Sequence, residues 1–213
     1  MHVSFLLFPG IEPVDLAAIG VISMARRVIP GLSYETVAAT AAPVEFSNGL
    51  QVVPGTTFDE VESVDVLLVP GGPGWRKASL DPAVQKFIRR VAPGATVCSV
   101  CTGAMILAEA GLLEGRQATT KAEVVPPEVS PLQELRERFP AVHAASALLV
   151  DTGAVVTGGG VTLCIDATLY LLQKRFGKPA ADEVARIMEY SAAWSANRAR
   201  LQVVDAREVA EHP

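Results

Sequence analysis

The sequence predicts an α/β protein built on a mostly parallel sheet, and three observations lead there. Short apolar runs bounded by turn residues recur along the chain. Segments with helical periodicity lie between them, so strand and helix alternate. Apolar residues make up 50% of the 213 positions and charged residues 19%. Such an excess is expected where parallel strands are covered on both faces and read as unbroken apolar runs. It also excludes a disordered chain.

The first run, residues 3–8, ends at Pro9-Gly10. Residues 14–28 then place Leu16, Ile19, Ile22 and Met24 near one helical face. Residues 34–39 read as a second strand. Asn48-Gly49, between the short stretches 44–46 and 50–53, signals a hairpin, expected to decorate a sheet edge. Residues 66–69 form a core strand that runs into Pro70-Gly71-Gly72-Pro73-Gly74. Asp81-Pro82 opens a helix through Val91, with proline at its favoured first position. Residues 95–100 are the next strand, and 102–110 a helix closed by Gly111. Residues 131–139 give a short charged helix, and 147–150 and 154–157 two further strands. Residues 161–176 form a long helix stopped by Gly177, and 180–190 a last one. One domain is expected over 1–190. Residues 191–213 read as a polar tail that packs on a partner subunit or is partly disordered.

The net charge is −5, with no block of like charges, which argues against a nucleic-acid surface or a polybasic membrane patch. The uncharged stretch 91–108 reaches the length of a membrane span, but Pro93, Gly94 and Gly103 interrupt it. Two separate elements are expected there. The N-terminus lacks the basic region of a signal peptide. Three cysteines supply no disulfide framework, so a cytoplasmic location is expected. Space for a helix-turn-helix module after the last helix is not expected either.

Cys101 is the most informative residue. It stands between the apolar strand ending at Val100 and the helix beginning near Thr102. At such a corner, backbone N–H groups and the helix dipole favour a thiolate, which is how a fold makes a nucleophile. The Gly71–Gly74 loop ends a second core strand. It lacks the Lys-Ser/Thr of a phosphate loop and is a weak match to a dinucleotide fingerprint. In open α/β sheets, sites form beyond the carboxyl ends of strands, and both loops lie there. Together they offer N–H groups for an oxyanion-type hole. A third strand end supplies Glu12 and Asp15. Each is placed to cap the first helix, and each is a candidate acid/base beside the sulfur.

Other readings fit less well. Cys98 and Cys101 form a C-x-x-C pair, but three extended steps of about 3.3 Å separate them by roughly 10 Å, beyond the ~7 Å reach of a disulfide. Cys98 and Cys164 read as small buried hydrophobes. The three histidines, His2, His143 and His212, show neither the spacing of a zinc site nor a place beside the elbow for a Cys-His triad. Trp75 is a candidate pocket wall. Asp166, inside the long helix, is placed either to face the site or, as the favoured reading, to act as a cap or make buried hydrogen bonds, and Lys121 is expected to be solvated or to edge the pocket.

These segments resemble the ThiJ/PfpI superfamily, whose fold is a flavodoxin-like sandwich of the class I glutamine amidotransferase type. The resemblance spans about residues 1–190. It is carried by 10–15, 66–74, 97–115 and the Gly158-Gly159-Gly160 turn with Ile165-Asp166. The isocyanide hydratase branch, related to the amidase-like domains of AraC-type regulators, is most similar. Its elbow usually reads Cys-Thr-Gly and then Leu-Ala-x-Ala-Gly-Leu-Leu-x-Gly, here Cys101-Thr102-Gly103 and residues 107–115. Where that branch shows Thr-Thr-His-Trp, this chain has Thr119-Thr120-Lys121-Ala122. Where the branch continues Asp-Phe-x-Gly-Pro, this chain continues Asp15-Leu16-Ala17-Ala18-Ile19-Gly20. Both departures fall where a substrate pocket is shaped.

The resemblance implies Cys101 as nucleophile, Asp15 as the neighbouring acid/base, and Thr102 beside the sulfur through its N–H and hydroxyl. The Gly72 N–H would help bind a developing anion. Gly71, Pro73 and Trp75 are candidate pocket residues from their place in and beside the glycine-rich loop. A strained backbone at the elbow cysteine is also implied. The expected reaction is hydration of a small organic isocyanide to an N-substituted formamide, by a homodimer, with no metal or organic cofactor. Glyoxalase or deglycase work on α-oxoaldehydes is the second expectation, and a cysteine oxidation sensor the third.

Overall fold

The computed structural model describes residues 1–206. His212 and the acidic end of the expected tail lie outside the described residues. Strand β1 (His2–Leu6) leads to a 3-10 turn at Pro13–Leu16 and helix α1 (Ala17–Ala25). Strand β2 (Ser33–Ala38), the short strands β3 (Val44–Glu45), β4 (Gln51–Val52) and β5 (Thr56–Thr57), and then β6 (Val66–Val69) follow. Next come α2 (Trp75–Leu80), α3 (Pro82–Val91), β7 (Thr96–Ser99), α4 (Gly103–Glu109) and β8 (Gln117–Ala118). The remainder is α5 (Pro131–Arg138), β9 (His143–Ala144), β10 (Leu149–Asp151), β11 (Val155–Gly158), α6 (Leu163–Phe176), α7 (Lys178–Ile187), α8 (Ser191–Arg200) and β12 (Val203–Asp205).

Among the described residues, eight strands form one sheet in the order β12-β10-β11-β7-β6-β1-β2-β5. Every neighbouring pair is parallel except β10–β11. Helices cover both faces, with α1, α6 and α7 in contact with one another and α2, α3, α4 and α5 forming a second set. The central strands β6 and β7 are apolar because both of their faces are covered. Asp81 caps α3 through the Ala83 N–H at 2.8 Å, with Pro82 as its first residue. Phe87 of that helix stacks on Phe58 at 4.4 Å between ring centroids. No helix among the described residues is long and apolar enough to cross a membrane. The uncharged stretch 91–108 divides between the end of α3, β7 and α4.

Two expectations need correction. The Asn48-Gly49 hairpin forms, but as a separate two-stranded sheet, β3–β4, and not on an edge of the main one. It is tied to the loop after β1: Gly10 N–H donates to Glu45 O at 2.8 Å and Ser47 N–H to Ile11 O at 3.0 Å. The fold also continues past residue 190. Helix α8 packs on α7, and β12 pairs in parallel with β10 through Leu149–Val203 and Asp151–Asp205. Residues 191–206 thus belong to this chain's own sheet and helix layer. Val203 and Val204 carry the β-branched signal of a strand, but a run of three residues is too short to stand out from a polar tail.

Candidate functional site

The strand order β7-β6-β1 sets three loops side by side at the carboxyl ends of the central strands. The loops after β1 and β6 are zipped together by backbone bonds. Glu12 N–H donates to Gly71 O at 3.0 Å, and Gly74 N–H to Gly10 O at 2.9 Å. Glycine is needed for this approach. Gly72 has φ +133, and a Cβ there would lie 2.2 Å from Glu12 N and 2.5 Å from Gly10 O. A Cβ on Gly71 would lie 2.3 Å from Thr102 N and 2.9 Å from the Cys101 Cβ. Gly71 therefore fills the narrow space between the acid loop and the elbow.

Cys101 has φ +52, a left-handed conformation that is uncommon outside glycine. Three neighbours hold it there. Its N–H donates to Gly159 O at 3.1 Å, and its carbonyl accepts from the Thr120 hydroxyl at 2.7 Å and from the Lys121 N–H at 3.3 Å. The turn aims the sulfur at a cleft of about 410 Å³ while the residue stays 2% exposed. Pro73, Trp75, Thr102, Lys121, Val124 and Val161 line that cleft, with Glu12, Arg76 and Glu134 among its polar groups. Arg76 grips Glu134 through two hydrogen bonds, of 2.5 and 2.7 Å, and its guanidinium lies 4.4 Å from the centre of the Trp75 ring. Trp75 is thereby fixed as a wall, with a charged pair at its rim.

The roles of Glu12 and Asp15 separate cleanly. Glu12 takes the capping role, its Oε1 accepting from the Val14 N–H at 3.3 Å. Asp15 is fully buried and accepts the Gly71 N–H on Oδ2 at 2.7 Å, while Oδ1 has no partner. Burial, with Glu12 adding repulsion, raises its pKa from the usual carboxylate range to about 7 against the pull of the Gly71 bond. The acid can therefore hold or release a proton at neutral pH.

The expected resting thiolate needs correction. Burial pushes the Cys101 thiol up to about 12, and the Asp15 carboxylate adds to the rise. The Thr102 N–H and the Lys121 charge oppose this without overcoming it. One N–H at the start of α4 does not replace the water lost by burial. Burial thus favours the protonated sulfur over the expected thiolate. The Gly72 N–H is corrected as well. It donates to Thr102 Oγ1 at 2.9 Å, so it braces the elbow and is not a free donor for an anion. Gly71 lies behind the cleft, with its N–H committed to Asp15.

Cys164, on α6, is a neighbour that spacing along the chain does not reveal. Its thiol points at Val14 O at 3.6 Å, and burial raises its pKa, with Asp15 and Cys101 contributing. All three cysteines are free. Asp166 lies away from the cleft and accepts from Tyr190 OH at 2.8 Å and Asn197 Nδ2 at 3.1 Å, joining α6 to α8. His2 and His143 do not line the cleft. No cluster of three or more His, Cys, Asp or Glu side chains able to hold a metal occurs among the described residues.

Fold and site together define a flavodoxin-like α/β protein with a cysteine on a strained elbow and a buried carboxyl beside it. The chain belongs to the DJ-1/PfpI family, which residues 1–174 match. It is 35% identical over 194 residues to the isonitrile hydratase of Pseudomonas putida, covering 91% of this chain and 80% of that protein. It is 29% identical to the HTH-type transcriptional regulator CdhR of Pseudomonas aeruginosa over 85% of this chain, but spans only 52% of that regulator. The crystal structure of a ThiJ/PfpI family protein from Pseudomonas syringae superposes with a TM-score of 0.76 at 26% identity, covering 89% of this chain and 74% of that one.

Proposed function

We propose that this chain is a cysteine-dependent hydratase that converts a small organic isocyanide to an N-substituted formamide. The observation that carries the reading is Asp15: a buried carboxyl with a pKa near 7 and one unpartnered oxygen, set against the Gly71 turn that touches Cys101. The likeness to isonitrile hydratase supports it.

The terminal carbon of an isocyanide accepts both a nucleophile and a proton. Asp15 takes the Cys101 proton as the sulfur bonds to that carbon, then returns it to the same carbon. The product is a thioimidate, R–N=CH–S–Cys101, and the carboxylate is regenerated. Asp15 next deprotonates a water that adds to the thioimidate carbon. The C–S bond breaks, the nitrogen and the sulfur end protonated, and R–NH–CHO leaves. Isocyanide and water are thus consumed one to one. Thr102 N–H stabilises the sulfur when it carries charge at the start and end of the cycle. A cleft of about 410 Å³ walled by Trp75, Val124, Pro73 and Val161 suits a compact apolar substituent.

A substrate panel tests this. Wild type, Cys101→Ala and Asp15→Asn are each given alkyl isocyanides and methylglyoxal. Formamide is expected from wild type alone. Full hydratase activity in Cys101→Ala would overturn the reading. Turnover of methylglyoxal in place of isocyanides would assign the site to α-oxoaldehydes. No turnover, with selective oxidation of Cys101 by mild peroxide, would assign it to sensing. We further propose a cytoplasmic homodimer, to be checked by sedimentation and cell fractionation.

A further inference from the structure

We propose that the ammonium of Lys121 is a positioning charge for Cys101, stabilising the sulfur anion formed when Asp15 takes the thiol proton. The inference deepens the hydratase reading and rests on Cys101 as its nucleophile.

The argument begins with placement. Lys121 is attached to the elbow by its backbone, donating N–H to Cys101 O at 3.3 Å. Its own carbonyl accepts the Leu132 N–H at 3.0 Å, which anchors it to the start of α5. Its stem packs under Gly160, where an added Cβ would lie 2.7 Å from the Lys121 Cβ. The side chain lines the same cleft as the sulfur, and the ammonium donates to the Glu123 carbonyl. That bond uses one of its three donors.

Charge balance supplies the second step. Moving a proton from Cys101 to Asp15 leaves the pair's net charge at minus one but carries it from a fully buried carboxylate to the cleft wall. Glu12 on the β1 loop opposes a negative sulfur there, and Glu128 is a further carboxylate lining the cleft. Burial holds the Cys164 thiol, from α6, toward its neutral form, so it offers the sulfur no compensating charge. Arg76, from α2, is committed to Glu134. Among the described cleft residues, Lys121 is the cation without a carboxylate partner. Its charge does act to lower the Cys101 thiol.

The test follows iodoacetamide alkylation of Cys101 against pH, located by peptide mass spectrometry, in wild type, Lys121→Met, Lys121→Gln and Lys121→Arg. Both neutral variants should move the alkylation profile up by about one pH unit, which is about tenfold slower at pH 7.5 on the rising limb. Lys121→Arg should return the rate to within about twofold of wild type. A wild-type profile in Lys121→Met or Lys121→Gln overturns the proposal, as does Lys121→Arg behaving like them. If one neutral variant does not fold, the other is compared with Lys121→Arg. The readout needs no isocyanide, so failure of the hydratase reading would show separately, as activity retained in Cys101→Ala.

Discussion

Asp15 accepts the Gly71 N–H at 2.7 Å, and Gly71 in turn leaves no room for even a methyl group between itself and Cys101 and Thr102. A backbone amide thus fixes how the Asp15 carboxyl sits relative to the Cys101 elbow. Burial then sets the acid's proton affinity, and the two together define what the site can do near neutral pH.

The first consequence is a pH profile. The working pair carries one negative charge, so kcat/KM for hydration should rise as Asp15 ionises, with a midpoint near its pKa of about 7. The fall on the alkaline side should be far removed, because the Cys101 thiol is pushed up to about 12. Asp15→Asn should lose this rise and about 10²-fold or more of the rate. Steady-state kinetics from pH 5 to 10 decide the matter, and a flat profile in wild type would contradict it.

Stability should follow the opposite trend. The folded pKa of Asp15 lies above the unfolded value, so its favourable contribution is complete in acid and is lost as pH rises toward and through about 7. Asp15→Asn should therefore gain on wild type by a few kcal/mol between pH 4 and pH 8. Urea unfolding of both proteins at the two pH values measures the difference.

Gly72 and Gly94 should respond very differently to one added methyl group. At Gly72 the Cβ would strike backbone atoms of the β1 loop at 2.2 and 2.5 Å, at a φ of +133. Nothing lies within 4 Å of a Cβ at Gly94. Gly72→Ala should cost about 3 kcal/mol or more and most of the activity, and Gly94→Ala no more than about 0.5 kcal/mol. Thermal melts and isocyanide turnover give both readouts.

Thr102→Val removes the oxygen that accepts the Gly72 N–H at 2.9 Å and leaves that buried donor unpaired. A loss of about 1–3 kcal/mol is expected, with slower alkylation of Cys101. Thr102→Ser should keep both near wild type, because the hydroxyl is what matters. Equal behaviour of Val and Ser would refute the bracing role.

Asp151 is a fully buried carboxylate that accepts from Gly153 N–H at 2.7 Å, Tyr170 OH at 2.9 Å and Lys174 Nζ at 2.8 Å. Removing its cation strands the charge, so Lys174→Met should destabilise by about 3–5 kcal/mol. Urea denaturation should show this while Cys101 alkylation in the folded protein stays unchanged.

Much of this is legible in the sequence. The runs 66–69 and 95–100 read as buried strands because both sheet faces are covered, and Pro82 and Gly177 marked helix ends by fixed backbone preferences. Cys101 stood out because a nucleophilic side chain fell where strand gives way to helix. Glu12 and Asp15 could not be told apart by spacing, since both sit where a helix begins; only the partner of each, Val14 for one and Gly71 for the other, separates them. The upward shift of the Cys101 thiol is not legible there for a related reason. Dipole and N–H groups follow from local sequence, whereas desolvation depends on everything packed around the site. The burial of Cys164 is legible, but its place beside Val14 and the network of Asp151 are not, because their partners lie far away along the chain.

The outermost strand carries a practical meaning for handling this protein. Val203–Asp205 occupies the hydrogen-bonding side of Leu149–Asp151. Stripped of it, those amides and carbonyls become a template onto which a foreign strand can dock. Forms trimmed after Arg200 should consequently clump in concentrated solution. Because that edge is two strands removed from the one that leads into Cys101, they should turn cloudy before they go inactive.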